Sequence, residues 1–233
     1  MQYLTNNHTE CLFEQLAKLF IREAVSLLEK QSCIYVALPG GRSILGFLEA
    51  LNKQIDSPDS AMIDLSRINF YLVDERITTD GNELNEHLLN SSFFMKLTIS
   101  LNTYFDLNNC FEEYNNYFLS ENIRFDFVFL GVGEDGHIAS IFPHDNSALI
   151  SEKNYLKINN SPKPPLERIT LSKKSILDAR HIVLLFVDEG KKRALDNFIS
   201  DKISTEDCPA KLSLQEKNKI IVATNLMNIK FPR

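Results

Sequence analysis

Apolar and polar positions follow two rhythms along this chain. From residue 12 to 30 (LFEQLAKLFIREAVSLLEK) apolar side chains recur at helical spacing, which predicts an amphipathic helix. Short apolar runs rich in β-formers then take over. Cys33–Leu38 is expected to be the first strand, followed by Ile68–Val73, Phe125–Leu130, His181–Phe186 and Lys219–Ala223. Between them lie helical patterns over about 43–54, 84–96, 110–120 and 190–200. Strands of five or six residues alternating with helices predict βαβ units on a mostly parallel sheet, covered by helices on both faces. The expected fold is therefore α/β, one domain over residues 1–233, with no internal repeat. The proline-bearing stretch 143–167 (Pro162, Pro164, Pro165) reads as a long surface loop, with a lid as the alternative.

Composition narrows the class. At 44% hydrophobic residues the 233-residue chain can bury a full core. Its net charge of -6 speaks against nucleic acid or an anionic membrane as the main partner, yet leaves room for an anionic small molecule in a locally basic site. No apolar run reaches the roughly 18 residues of a membrane span. The start, MQYLTNNHTE, lacks the marks of a secretory signal. Cys11, Cys33, Cys110 and Cys208 lie far apart with no C-x-x-C pair, as reduced thiols in the cytoplasm would.

In open parallel sheets, ligands bind beyond the carboxyl ends of the strands, and the unusual residues collect there. Pro39-Gly40-Gly41-Arg42-Ser43 follows the first of these runs. Its glycines permit a tight turn that brings bare N–H groups to an anion at a helix N-terminus, Ser43 can cap the helix or touch phosphate, and Arg42 offers a guanidinium. A plain capped turn is the alternative. Asp74-Glu75-Arg76 abuts the second run, where Arg76 can meet an anion or a developing oxyanion with the acids orienting it.

The sharpest cluster is Gly131-Val-Gly-Glu-Asp-Gly-His137-Ile-Ala-Ser-Ile-Phe-Pro143. Its glycines allow a compact loop that presents Asp135 and His137. An imidazole titrates near neutrality and can take a proton from water, and Asp135 can hold the ring. Arg168 and the Lys191-Lys192 pair are further candidate phosphate clamps, against the plainer reading of solvated positions. His8, His87, His144 and His181 have weaker contexts, although His144 adjoins the third cluster. No His/Cys/Asp/Glu set has metal-site spacing, so metal-free chemistry is preferred, and no Gly-x-Ser-x-Gly elbow is present.

In order and spacing these clusters resemble the α/β-type 6-phosphogluconolactonases, which share a fold with glucosamine-6-phosphate deaminase. The likeness runs from about Ala37 to Ala210. Gly131–Pro143 is similar to the lactonase signature almost residue for residue, and Asp74–Arg76, Arg168-Ile-Thr170, Gly190–Leu195 and Pro209-Ala210 recur in the expected order. The resemblance implies a Rossmann-like fold, no cofactor, and a sugar-phosphate substrate in the oxidative pentose phosphate pathway. It implies that His137 is the base, with Arg76 in the site; Asp135, read above as the group that holds the ring, completes the expected catalytic set. The glycine loop, Arg168 and a lysine (best matched by Lys192, with Lys191 the alternative) would hold the phosphate, and Asn85 carries over. Joined to the reading of the residues themselves, the expected substrate-binding set is Gly40, Gly41, Arg42, Ser43, Asp74, Asn85, Arg168 and that lysine, in a monomer or homodimer.

Three departures stand out. Arg42 replaces a usual serine, only Asn85 of the pair Leu84-Asn85 matches, and a C-terminal tryptophan and aspartate are missing. The deaminases place Asn-Glu soon after the histidine and have Asp-Glu-Tyr instead of Asp-Glu-Arg; Ser140-Ile-Phe142 and Arg76 fit the lactonase pattern instead. A non-catalytic sugar-phosphate sensor is the rival of a different class. Such regulators carry an added DNA-binding module, for which one helix before Cys33 leaves no room.

Overall fold

The computed structural model describes residues 1–55, 63–94, 107–145, 153–227 and 229. In chain order the main elements are β1 (Gln2–Thr5), α1 (Thr9–Leu28), β2 (Ile34–Leu38), α2 (Arg42–Ile55), β3 (Ile68–Leu72) and β4 (Asp74–Arg76). There follow α3 (Asn85–Leu89), α4 (Leu107–Ser120), β5 (Phe127–Gly131), β6 (Tyr155–Ile158), β7 (Arg168–Leu171), α5 (Lys173–Asp178), β8 (His181–Phe186), α6 (Lys192–Ile199) and β9 (Ile220–Thr224). The expected helix over 84–96 is α3 continued by a π-helical turn, Asn90–Phe94, and its last two positions lie outside the described residues.

Six strands form a parallel sheet in the order β1-β9-β8-β5-β2-β3. The architecture is α/β and Rossmann-like, with two separate apolar layers. Ile34, Val36 and Leu38 of β2 face Phe20 of α1 and Phe47 of α2. The next residue along, Ala37, faces the other way, into a layer that includes Tyr114 and Phe118 of α4, Ile176 of α5 and Phe198 of α6. This alternation is the period-2 geometry of a strand buried on both sides. Phe20 meets Phe127 edge-on at 4.9 Å and Phe47 at 5.8 Å. Burying each of these rings contributes about 1.5–3 kcal/mol.

Two corrections concern the sheets. The first strand is Gln2–Thr5, not Cys33–Leu38, and α1 starts at Thr9, earlier than residue 12. β1 is a four-residue edge strand whose ends are exposed, so it lacks the continuous apolar run by which the buried strands are recognised. Asp74–Arg76, which abuts the second run in sequence, is itself a strand of a second, antiparallel sheet in the order β4-β7-β6, an element the pattern did not predict. That sheet also places β6 inside the stretch read as a surface loop, of which residues 146–152 lie outside the described residues.

The two sheets are joined at the end of β3. The Leu171 N–H donates to the Val73 carbonyl at 2.7 Å, and the Tyr155 hydroxyl donates to the Leu72 carbonyl at 2.7 Å. Within the large sheet, the chain runs from β2 to β3 on one side, whereas β5, β8 and β9 extend the other. β2 and β5 are therefore the switch point, where the following loops diverge and open a crevice. Among the described residues no helix is long and apolar enough to cross a membrane.

Candidate active site

A cleft of about 370 Å³ lies at that crevice, a size suited to a small molecule. Gly40, Gly41, Arg42, Ser43, Asp74, Arg76, Asn85, His137 and Arg168 all line it.

After β2 the chain turns through Gly41, whose φ of +90° is a conformation L side chains rarely adopt. Gly40 is required for a different reason: a Cβ there would lie 1.8 Å from the Asn85 Oδ1. Helix α2 begins at Arg42, so Ser43 sits within its first turn, not before it as a cap would.

β4 supplies the adjoining wall. The Asn85 Nδ2 donates to the Asp74 carbonyl at 2.9 Å. Asp74 Oδ2 accepts from the Ser140 hydroxyl at 2.7 Å, and the Ser140 N–H donates to Thr170 Oγ1 at 3.1 Å. These bonds fasten the His137 loop to β4 and β7. Glu75 is buried and turned away from the cleft. Its carboxyl accepts the backbone N–H groups of Arg76, Asn85 and Glu86 at 2.7–2.8 Å, so it anchors the start of α3. Burial pushes this carboxyl up to about 7 despite those three donors. The Arg76 guanidinium donates to the Glu83 carbonyl, a backbone group that helps to orient it.

The loop after β5 folds back on itself. The Gly133 N–H donates to the His137 carbonyl at 2.9 Å, and the Gly136 N–H to the Gly133 carbonyl at 2.9 Å, with Gly136 at φ +85°. His137 Nδ1 is hydrogen-bonded to Asp135 Oδ1, and the ring packs on Phe142 with centroids 4.7 Å apart. The His137 side chain remains 20% exposed, open to a small molecule. Asp135 does not line the cleft; it braces the ring from behind. Its other oxygen lies 3.0 Å from Lys163 Nζ, a partner that pattern reading missed because Lys163 sits in the proline-bearing loop. Burial alone would raise the Asp135 carboxyl, but His137 and Lys163 outweigh it and hold the group well below the usual carboxylate range.

Arg168 is fixed by three carbonyls, those of Lys163, Pro164 and Pro165, at 3.1–3.2 Å, with its guanidinium 5.6 Å from the Phe142 centroid. Lys192 requires correction. Its ammonium pairs with Asp196 at 2.6 Å, one turn along α6, and Lys191 lines the cleft instead. Burial draws the Lys191 ammonium down, opposed by the nearby Glu134, itself a cleft residue the sequence did not single out. His144 does not line the cleft; it lies 3.5 Å from Asp207. His181 stacks on Phe127 at 4.7 Å. Among the described residues no three His, Cys, Asp or Glu side chains cluster as a metal site would require.

The arrangement has clear chemical capacity. With Nδ1–H given to a carboxylate, the imidazole keeps Nε2 as a proton acceptor. Arg42, Arg76, Arg168 and Lys191 supply cations to one small cleft on an acidic protein.

The sequence model of the family described as glucosamine-6-phosphate isomerases/6-phosphogluconolactonase matches residues 7–222. A 6-phosphogluconolactonase of Borreliella burgdorferi is 36% identical over 211 residues, covering 85% of this chain and 86% of that protein. A chloroplastic 6-phosphogluconolactonase 3 of Arabidopsis thaliana is 29% identical, over 80% of this chain and 62% of its own length. Among solved structures, a 6-phosphogluconolactonase from Thermotoga maritima shares the fold with a TM-score of 0.72 at 24% identity, over 96% of this chain and 98% of that one. With a match spanning β2, β3, β5 and β8 of the large sheet and every cleft-lining residue, the chain belongs to the glucosamine-6-phosphate isomerase/6-phosphogluconolactonase family.

Proposed function

We propose that this chain hydrolyses 6-phospho-D-glucono-1,5-lactone to 6-phosphogluconate, a step of the oxidative pentose phosphate pathway, with His137 as the base. The observation that carries this reading is the Asp135-braced imidazole in the same cleft as the Gly40–Gly41 turn and Arg42, Arg76, Arg168 and Lys191. The substrate phosphate binds the glycine turn, Arg168 and Lys191, with Arg42 and Ser43 beside it. Asp74 and Asn85 hold the wall that faces the sugar.

His137 Nε2 takes a proton from water as the water oxygen bonds to the lactone carbonyl carbon. The carbonyl electron pair moves onto oxygen, where Arg76 stabilises the oxyanion. Collapse re-forms the carbonyl and breaks the bond to the ring oxygen, which takes the proton back from His137. The new carboxylic acid then loses its own proton to solvent. No cofactor is needed for any of these steps. The chain acts as a single domain over 1–233, in the cytoplasm, as a monomer or homodimer and without nucleic acid or membrane; the net charge of -6 and the scattered cysteines support that setting.

General-base catalysis contributes ~10²–10⁴-fold, so His137→Ala lowers kcat by that order with the circular dichroism spectrum unchanged. Full activity in a folded His137→Ala variant would remove His137 from the mechanism. Fresh 6-phosphogluconolactone hydrolysis, run beside ammonia release from glucosamine 6-phosphate, separates the two activities in the family's description: acceleration of the first alone supports the lactonase.

A further inference from the structure

A carboxylate bound to an imidazole strengthens the ring's hold on a second proton, and an imidazolium cannot act as a base. The Asp135–His137 pair on its own would therefore work against the chemistry assigned to it. Asp135 is not on its own. Oδ1 meets His137 Nδ1, and Oδ2 lies 3.0 Å from the Lys163 ammonium.

We propose that Lys163 is a positioning residue for this base: by sharing the Asp135 carboxylate with His137, it holds Asp135 in place and offsets the negative charge that the ring faces. The proposal rests on the reading of His137 as base.

Lys163 is presented on a braced segment. Its carbonyl accepts from the Ser161 hydroxyl at 2.8 Å and from the Arg168 guanidinium at 3.1 Å, and its N–H donates to Ser161 Oγ at 3.2 Å. Its ammonium also lies 6.0 Å from the centroid of Phe142, the ring on which His137 packs. An ion pair this exposed, 49% and 34% for the two side chains, adds little to stability. Its effect falls instead on the charge felt by the ring.

The other groups around the dyad are otherwise engaged. Lys191, after β8, is faced first by Glu134 and then by Lys163, Asp135 and Asp188, beyond ion-pair distance of Asp135. Arg168 of β7 is spread over three carbonyls, Arg76 of β4 reaches the Glu83 carbonyl, and Asp74 accepts from Ser140 and Asn85. Cys208, packed beneath Gly136, has its thiol pushed up by burial and stays neutral. Among the described residues, Lys163 is the cation within ion-pair distance of Asp135 besides His137 itself.

The test is an NMR titration of the His137 ring in the whole protein, with the signal assigned through His137→Gln. In Lys163→Met the midpoint moves upward by about one pH unit, the scale of one neighbouring charge. The acid limb of kcat/KM for lactone hydrolysis moves with it, and Lys163→Arg restores both. A midpoint that is unchanged or lower in Lys163→Met overturns the proposal. A midpoint that moves while the acid limb stays put supports the coupling of Lys163 to His137 and removes His137 as the base, so the two readings fail separately.

Discussion

Gly133 and His137 touch so closely that a Cβ on Gly133 would lie 2.0 Å from the ring Nδ1 and 2.6 Å from Asp135 Oδ1. The space occupied by the dyad is the space a side chain would need. Gly133→Ala therefore drives the imidazole off Asp135. Since displacing a reacting group by an ångström can cost about 10²-fold, kcat/KM for lactone hydrolysis falls by ~10² in a variant that still folds. Steady-state kinetics beside a thermal melt check this; a wild-type rate would mean that the ring's seating is unimportant.

Gly40 and Asn85 stand in a similar relation on the opposite wall, with 1.8 Å between the virtual Cβ and Oδ1. Here the displaced group is not the base but the partner of Asp74 and the neighbour of the glycine turn. Gly40→Ala is expected to raise KM about tenfold, equivalent to ~1.4 kcal/mol of binding, with a smaller effect on kcat. Calorimetric titration with 6-phosphogluconate measures the same loss directly.

Adjacent lysines should behave differently. Lys191 faces the cleft, whereas Lys192 is held by Asp196. A hydrogen bond to a charged group is worth about 1.5–3 kcal/mol, so Lys191→Ala weakens 6-phosphogluconate binding by ~10- to 100-fold. Lys192→Ala leaves it nearly unchanged and costs at most ~0.5 kcal/mol of stability, as helix i,i+4 pairs do. Equal losses in both variants would contradict this assignment.

Glu75 predicts a pH dependence of stability. Its folded value of about 7 exceeds the ordinary 4.5, so between those values the native protein holds a proton that the unfolded chain has released. The stabilisation is fully present below 4.5 and is lost as pH rises through 7. At 1.36 kcal/mol per pH unit of difference, the loss is about 3 kcal/mol. Urea unfolding of the wild type and Glu75→Gln from pH 4.5 to 8 isolates this contribution: the difference between their stability curves slopes through that window and is flat above it. A constant offset between the two curves would exclude it.

The legibility of this protein followed burial. β2, β3, β5, β8 and β9 are short apolar runs buried on both sides, and each was found within a residue or two. β4 was not, because Asp74-Glu75-Arg76 has no strand propensity to display; its conformation is imposed by pairing with Arg168–Thr170, distant in sequence. Residues delivered directly by strand-end loops, such as Gly40 and His137, were readable from the spacing of glycines and polar groups. Lys163 was not, since its role depends on a loop that folds back from β7. Nor could periodicity choose between Lys191 and Lys192, because the short turn Glu189–Lys191 intervenes before α6 starts.

Among the described residues the earliest strand pairs only with the latest: β1 lies at the rim of the large sheet beside β9, Gln2 next to Ile221 and Thr5 next to Thr224. During synthesis on a ribosome, β1 must therefore wait until residues 221–224 emerge before its backbone finds those partners. Contacts between such remote segments slow folding, because a large loop must close before they form. Shortening the chain ahead of residue 220 would leave Gln2–Thr5 an unclaimed edge, prone to pairing with a strand from another molecule.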